Sequence, residues 1–197
     1  MTIKKLSINE VEAVAKLHQK SFSNFFLTKL GNKFLVKFYK SIFTNSDSIN
    51  IGLFDDELLI GFAVGSKRSK SFYKNLLKDN FINLGFSAIL PLISNPTHIF
   101  RLLTSFASIS KSNVDIVDNA VLLSICIDPN CASKGYGKIL LMEFEKTAFK
   151  YSNIITLTTD ADDNDYVKAF YVKYEYELHH SFYQGKRKMN YYIKYKN

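Results

Sequence analysis

Six consecutive residues, Ser133-Lys134-Gly135-Tyr136-Gly137-Lys138, have the types and spacing of a phosphate cradle. Glycines let a backbone approach a ligand closely, and amides at the head of a helix aim free N–H groups and the positive end of the helix dipole at an anion. The setting gives these residues their meaning. Before them, Asn119 to Ile127 is a continuous apolar run of strand length, stopped by Asp128-Pro129-Asn130, which suits a central strand. After them, Gly135 to Lys150 puts Leu141, Phe144, Ala148 and Tyr151 on one helical face and leaves Lys138, Glu145, Lys146 and Lys150 mostly off it. A lone Gly-x-Gly is as readily a plain helix start, but between a buried strand and an amphipathic helix it suits a pyrophosphate.

Two other nucleotide motifs fail on the same residues. A P-loop needs Ser or Thr after its Gly-Lys, and here Ile139 follows Lys138. A dinucleotide fingerprint needs a third glycine where Leu140 stands.

The rest of the chain supplies elements to position the loop. Thr2 to Leu6 reads as a strand, and Ser7 with Glu10 forms a capping box opening a helix through Val11, Val14, Ala15 and His18. Leu30, Phe34, Phe38 and Ile42 predict a second helix from about Thr28 to Phe43. Ile49 to Phe54 and Leu58 to Val64, separated by Asp55-Asp56, read as a hairpin. A helical pattern then runs from Lys67 to about Ser112, broken near Asn80 and at Ser94-Asn95-Pro96. Ile154 to Thr159 is a β-branched strand, so strand, helix and strand around the loop form a βαβ unit with parallel strands. A short helix over Asn164 to Tyr174 precedes two strands, Tyr176 to Phe182 and Lys188 to Tyr195. In the last, Met189, Tyr191, Ile193 and Tyr195 alternate with Lys188, Asn190, Tyr192 and Lys194, as in a half-exposed edge strand.

Composition narrows the class. At 197 residues and 47% hydrophobic content the chain suits one domain with one sizeable core. A net charge of +8 favours an anionic partner, but the basic clusters Lys67-Arg68 with Lys70 and Lys186-Arg187-Lys188 are short and lack the aromatic interleaving of a nucleic-acid module. Cys126 and Cys131 are too few for a disulfide framework and have no histidine beside them to complete a zinc site, so neither a metal nor an oxidising compartment is expected. The N-terminus carries no secretory pattern. The longest apolar stretch, Phe81 to Ile93, is broken by Asn83, Gly85 and Pro91 and is too short to span a membrane. A cytoplasmic protein is the expectation.

The stretch Ile125 to Leu141, ICIDPNCASKGYGKILL, resembles the acetyl-CoA loop of the GCN5-related N-acetyltransferase (GNAT) superfamily, Gln/Arg-x-x-Gly-x-Gly/Ala after a strand. Ala132 occupies the usual Gln/Arg position, which removes a side chain and keeps the backbone donors. Asn164 to Tyr176, NDYVKAFYVKYEY, is similar to the family's later block, with Asn164, Phe170, Tyr171 and Lys173 matching and Val167, Glu175 and Tyr176 departing.

The resemblance implies an α/β fold, a mixed sheet of about seven strands flanked by helices, with the helical segment 67–112 inserted between the third and fourth strands. It implies a single acyltransferase domain over residues 1–197 that binds acetyl-CoA and acetylates the amine of a small acceptor, such as an amino sugar. By the same resemblance, the main chain at Ile125, Cys126 and Ile127 pairs with the pantetheine arm, and the Ile127 N–H polarises the thioester. Ala132, Ser133, Lys134, Gly135, Tyr136, Gly137 and Lys138 cradle the pyrophosphate, and Asn164, Phe170 and Lys173 contact the cofactor, with helix capping an equal explanation for Asn164. Tyr171 stands where many relatives carry a tyrosine near the sulfur, a candidate general acid or a buried structural tyrosine. No general base is legible: Val121 occupies the position where some relatives carry Glu, leaving Asp115, Asp118, His98, His179 and His180 as candidates by type. The insertion is a candidate lid, oligomer interface or membrane-facing patch, or simply extra core packing, and is compatible with a homodimer. The alternative is a non-catalytic protein of the same fold that binds acyl-CoA or meets nucleic acid with its basic face.

Overall fold

The computed structural model describes residues 1–70 and 119–197. Most of the insertion expected at 67–112 lies outside the described residues, as do His98, Asp115 and Asp118.

Seven strands form one sheet in the order β1-β2-β3-β4-β5-β7-β6, with β1 Thr2–Lys5, β2 Ser48–Asp55, β3 Leu58–Ser66, β4 Ala120–Ile127, β5 Ile154–Asp160, β6 Glu177–Gln184 and β7 Arg187–Tyr195. Every neighbouring pair is antiparallel except β4 with β5. That exception follows from the βαβ connection through α4, Tyr136–Ala148, because parallel neighbours need a long crossover.

Helices cover both faces of the sheet. Leu140, Leu141, Phe144 and Ala148 of α4 are fully buried against Ile49, Ile51, Leu53, Ala63, Leu122 and Ile155. On the other face α1, Val11–Ser21, and α3, Asn32–Phe43, bury Val14, Ala15, Leu35, Tyr39 and Ile42 against Phe62, Val64 and Cys126. Each such side chain contributes roughly 1.5–3 kcal/mol by leaving water, so both helical layers hold the sheet firmly. The Ser7–Glu10 capping box forms as the spacing predicts, with a 3-10 turn at Ile8–Glu10 leading into α1.

Four sequence expectations are corrected. The helix over 28–43 is two pieces, α2 Phe26–Lys29 and α3, because Gly31 sits at φ +89°, which no helix tolerates. The last strand is not an edge: β7 lies between β5 and β6, and Tyr192, placed on its polar side by alternation, is buried. The hairpin closed by Gly185 inserts its second strand into the sheet, leaving β6 outside. Tyr151 falls beyond the end of α4 and is 58% exposed. Glu145, expected off the buried face, is buried and paired with Lys194 of β7 at 2.9 Å. A carboxylate is tolerated there because its counter-ion arrives from another strand.

No helix among the described residues is long and apolar enough to cross a membrane.

Candidate functional site

The parallel pair β4–β5 stays together over three residues only, Ala120 with Ile155, Val121 with Thr156 and Leu122 with Leu157. Beyond that the strands splay. The cause lies across β4: Gly65 of β3 faces Leu122 and Val64 faces Ser124, so Leu123 is an extra residue without a partner. A bulge of this kind bends its strand and flips the side-chain alternation. Ala120 and Leu122 therefore pack with α4, whereas Cys126 packs with α1 and α3 and Ser124 approaches Tyr39 of α3.

The same geometry leaves main-chain groups free. Asp128 N–H donates to Ile60 C=O at 2.7 Å. In an antiparallel ladder alternate residues turn both polar groups to the same neighbour, so Cys126 and Ser124 face β3 while Ile127 and Ile125 face away from it. Ile127 C=O accepts from Ser21 Oγ at 3.2 Å, as that orientation requires. The N–H groups of Ile125 and Ile127 thus face the splay.

The glycine loop meets this opening. Asp128 caps the 3-10 turn Pro129–Cys131 by accepting from Asn130 N–H at 2.9 Å, and Lys20 Nζ holds its carboxylate at 2.7 Å. That hydrogen bond from Lys20 keeps Asp128 below the usual carboxylate range. Ala132 N–H is spent on Pro129 C=O at 3.3 Å, so the free donors begin at Ser133. Ser133 (φ +62°) and Gly135 (φ +79°) adopt left-handed conformations on either side of Lys134, an alternation that makes successive N–H groups converge. Gly135 is the N-cap of α4, and no side chain caps that helix. A Cβ on Gly135 would meet nothing within 4 Å, and one on Gly137 only the Phe170 ring at 3.6 Å. Protein packing demands neither missing Cβ for space, and only Gly135, with its left-handed φ, has a conformational reason to be glycine.

α5, Asp165–Lys173, supplies the opposite lip. Asn164 does not cap it; its amide nitrogen donates to Thr159 Oγ1 at 2.7 Å and Asp160 C=O at 3.1 Å, tying α5 to the end of β5. Tyr171 is buried among Phe170, Tyr176 and Tyr192, with ring centroids 5.5–6.1 Å away, and burial raises the pKa of its phenol.

These pieces line one cavity of about 1710 Å³. Ile125, Cys126, Ile127, Ala132, Ser133, Gly135, Tyr136, Gly137, Lys138, Asn164, Phe170, Tyr171 and Lys173 all line it. Lys134 does not and is exposed. Of the described histidines considered as bases, His180 reaches the cavity; His179 pairs with it, Nδ1 to Nδ1 at 2.8 Å, and stays outside.

One group in the cavity wall escaped sequence reasoning. His18 is 5% exposed, shares a 2.7 Å hydrogen bond between its Nδ1 and Tyr39 Oη, and leaves Nε2 without a partner. Burial lowers its pKa to about 4, so it is neutral. Tyr39 in turn reaches Ser124 Oγ at 3.5 Å. The signal was present: a histidine at position 18 continues the buried stripe of Val11, Val14 and Ala15.

Residues 103–176 match the family model described as acetyltransferase (GNAT) family. A search of curated proteins finds no match. Among solved structures, an aminoglycoside 6'-acetyltransferase type Ii is similar at TM-score 0.65 and 12% identity, over 99% of this chain and 97% of that one. The ribosomal-protein-S18-alanine N-acetyltransferase from Escherichia coli is similar at TM-score 0.58 and 14% identity, over 98% and 91%. The PaiA N-acetyltransferase from Thermoplasma acidophilum, solved with coenzyme A, is similar at TM-score 0.56 and 17% identity, over 96% of each chain. At these identities the solved structures speak for the fold, and the family model speaks for the sequence from the end of the insertion through α5. The seven-stranded sheet, with its splayed strands, bulge and glycine-started helix, shares the fold of these acetyltransferases, and residues 103–176 carry the match to the GNAT family model.

Proposed function

We propose that the protein is an N-acetyltransferase that takes the acetyl group of acetyl-CoA and passes it directly to the primary amine of a small acceptor, as one domain. The observation that carries this reading is the meeting of two sets of unspent main-chain donors at one opening: Ile125 and Ile127 on β4, and the uncapped start of α4. An extended amide-bearing arm suits the first, and a pyrophosphate suits the second.

Acetyl-CoA supplies an activated acyl carbon and a thiolate leaving group. The chain's own residues do the rest. Ser133 to Lys138 hold the pyrophosphate through converging N–H groups, with the Lys138 and Lys173 ammonium groups near the cavity rim. Asn164, whose amide nitrogen is engaged, offers its Oδ1 to an N–H of the arm. The Ile127 N–H donates to the thioester oxygen, where negative charge develops as the amine attacks. The C–N bond forms as the C–S bond breaks, and the proton shed by the amine balances the one that the sulfur acquires. Tyr171, kept protonated by its surroundings, donates to that sulfur.

Isothermal titration with acetyl-CoA, followed by detection of free thiol when amines are added, tests the proposal. Micromolar binding with thiol release is the expected result. Binding without release from any amine would mark an acyl-CoA-binding protein, and no binding would overturn the proposal.

A further inference from the structure

Acetyl transfer needs a taker for the proton that the attacking amine sheds. On the sheet face opposite α4, the layer between β3–β4 and the helices α1 and α3 is filled by Val14, Ala15, Leu35, Ile42, Phe62 and Val64. One polar line crosses it. His18 Nδ1 and Tyr39 Oη share a hydrogen bond of 2.7 Å, and Tyr39 Oη stands 3.5 Å from Ser124 Oγ. All three residues line the cavity.

The three members differ in depth. Tyr39 is buried, and Phe38, Phe62 and Phe43 hold its ring at centroid distances of 5.5, 5.6 and 6.4 Å, so its hydroxyl has a fixed place. His18 is buried and neutral, with Nε2 unpartnered. Ser124 is half-buried, the most open of the three. The bulge at Leu123 turns its side chain to this face, and an arm seated on the main chain of Ile125 and Ile127 runs alongside it. Ser21 and Thr159, also on the lining, are instead tied to a carbonyl and an amide: Ser21 donates to Ile127 C=O at 3.2 Å, and Thr159 accepts from Asn164 at 2.7 Å. His180 lines the cavity from β6, which β5 and β7 separate from β4. At about 4.8 Å per strand it stands about 14 Å across the sheet from Ser124.

We infer that Ser124 takes the proton of the acceptor amine, and that Tyr39 and His18 are positioning residues that draw it inward. This rests on the acetyl-transfer reading of the cofactor side of the cavity. A hydroxyl and a neutral imidazole each give and take a proton, which an ammonium group cannot. As the C–N bond forms, the amine N–H breaks to Ser124 Oγ, the Ser124 proton passes to Tyr39 Oη, and the Tyr39 proton passes to His18 Nδ1. Each hydroxyl gains one proton and loses one. The nitrogen ends as a neutral amide, His18 ends charged, and the electron pair of the broken C–S bond leaves on sulfur. Burial disfavours the imidazolium, so the proton returns through the same hydroxyls to solvent once the product departs.

Thiol release from bound acetyl-CoA is followed in single turnovers with n-butylamine, 2-phenylethylamine, spermidine and glucosamine, and the fastest of the four is kept. Ser124→Ala is expected to slow it about 100-fold and Tyr39→Phe about tenfold, with the calorimetric affinity for acetyl-CoA unchanged. The double variant should be no slower than Ser124→Ala alone, because the path is already cut. Replacing water by D2O should slow the unmodified protein more than Tyr39→Phe, in which fewer protons move. A loss below threefold in Ser124→Ala, losses that multiply in the double variant, or a larger loss in His180→Gln overturns the inference. The ring nitrogens of His18, followed by NMR of the protein carrying 15N-histidine, read the line without turnover. They should shift in Tyr39→Phe and, by less, in Ser124→Ala. If acetyl-CoA does not bind, or binds and no amine releases thiol, the proposed function falls separately. The NMR comparison then decides: His18 nitrogens moved by Ser124→Ala support a shared proton path, and unmoved nitrogens overturn it.

Discussion

Tyr171 lines the cavity with its ring clamped by three aromatic neighbours, so packing and chemistry can be separated by removing one oxygen. Tyr171→Phe keeps the ring packing, and if the phenol protonates the leaving sulfur kcat falls about 100-fold with little change in KM for acetyl-CoA. Steady-state kinetics over both substrates check this, and a loss below threefold would leave Tyr171 as packing only. His18 gives a second prediction from its depressed pKa. The folded state keeps it neutral down to about pH 4, whereas the unfolded chain takes up a proton near pH 6.5. Between those values the unfolded state binds more protons, so stability falls as pH drops from 6.5 to about 4 and flattens below. The full effect is about 3 kcal/mol. Urea denaturation at pH 7.5 and pH 4.5 should show it, and His18→Leu should remove that component while leaving the acid-side losses from Glu10 and Asp128, whose pKa values are also lowered.

At the scale of elements, the loop and α4 separate what the fold needs from what a ligand needs. Gly135 is favoured as glycine by its conformation, since a left-handed φ strains other residues by about 1–2 kcal/mol. Gly137 has no such demand: it lies in the first turn of α4 at helical φ, and an added Cβ would only touch Phe170. Gly137→Ala is therefore expected to stabilise the free protein by up to about 1 kcal/mol, because alanine is the better helix former. The same methyl narrows the approach of a pyrophosphate and should weaken acetyl-CoA binding about tenfold or more. Opposite signs in thermal melting and in calorimetry distinguish this from general damage; unchanged affinity would show that no ligand comes close to Gly137.

At the scale of the whole molecule, the proposed cofactor cradle draws on β4, the glycine loop, α4 and α5, which belong to one continuous sheet-and-helix unit. A ligand that touches all of them and only in the folded state stabilises the whole. At one hundred times its Kd the gain is about 2.7 kcal/mol, which for a chain of this size shifts Tm by about 5–10 °C. Thermal melting with graded acetyl-CoA should show a rise that grows with the logarithm of concentration, and a Tm that stays flat would count against a single cradle.

Much of this arrangement is legible in local pattern. The capping box at Ser7 and Glu10, the hairpin turning at Asp55-Asp56, the strand–loop–helix around Gly135 and the helix carrying Tyr171 all form where spacing places them, because each depends on neighbours a few residues away. The residues expected to meet a cofactor lie in two short blocks, and the fold brings all of them but Lys134 to one cavity. What the tertiary structure decided depends on groups distant in sequence. The bulge at Leu123 exists only in register with Val64 and Gly65, and it turns a plain apolar strand into one that splays and bares its main chain. The burial of Glu145 waits on Lys194, and the interior place of β7 on the hairpin folding back. Local spacing encodes helices, strands and turns through short-range sterics and hydrogen bonding; which charges are spent and which walls face one another is settled only when remote segments pack.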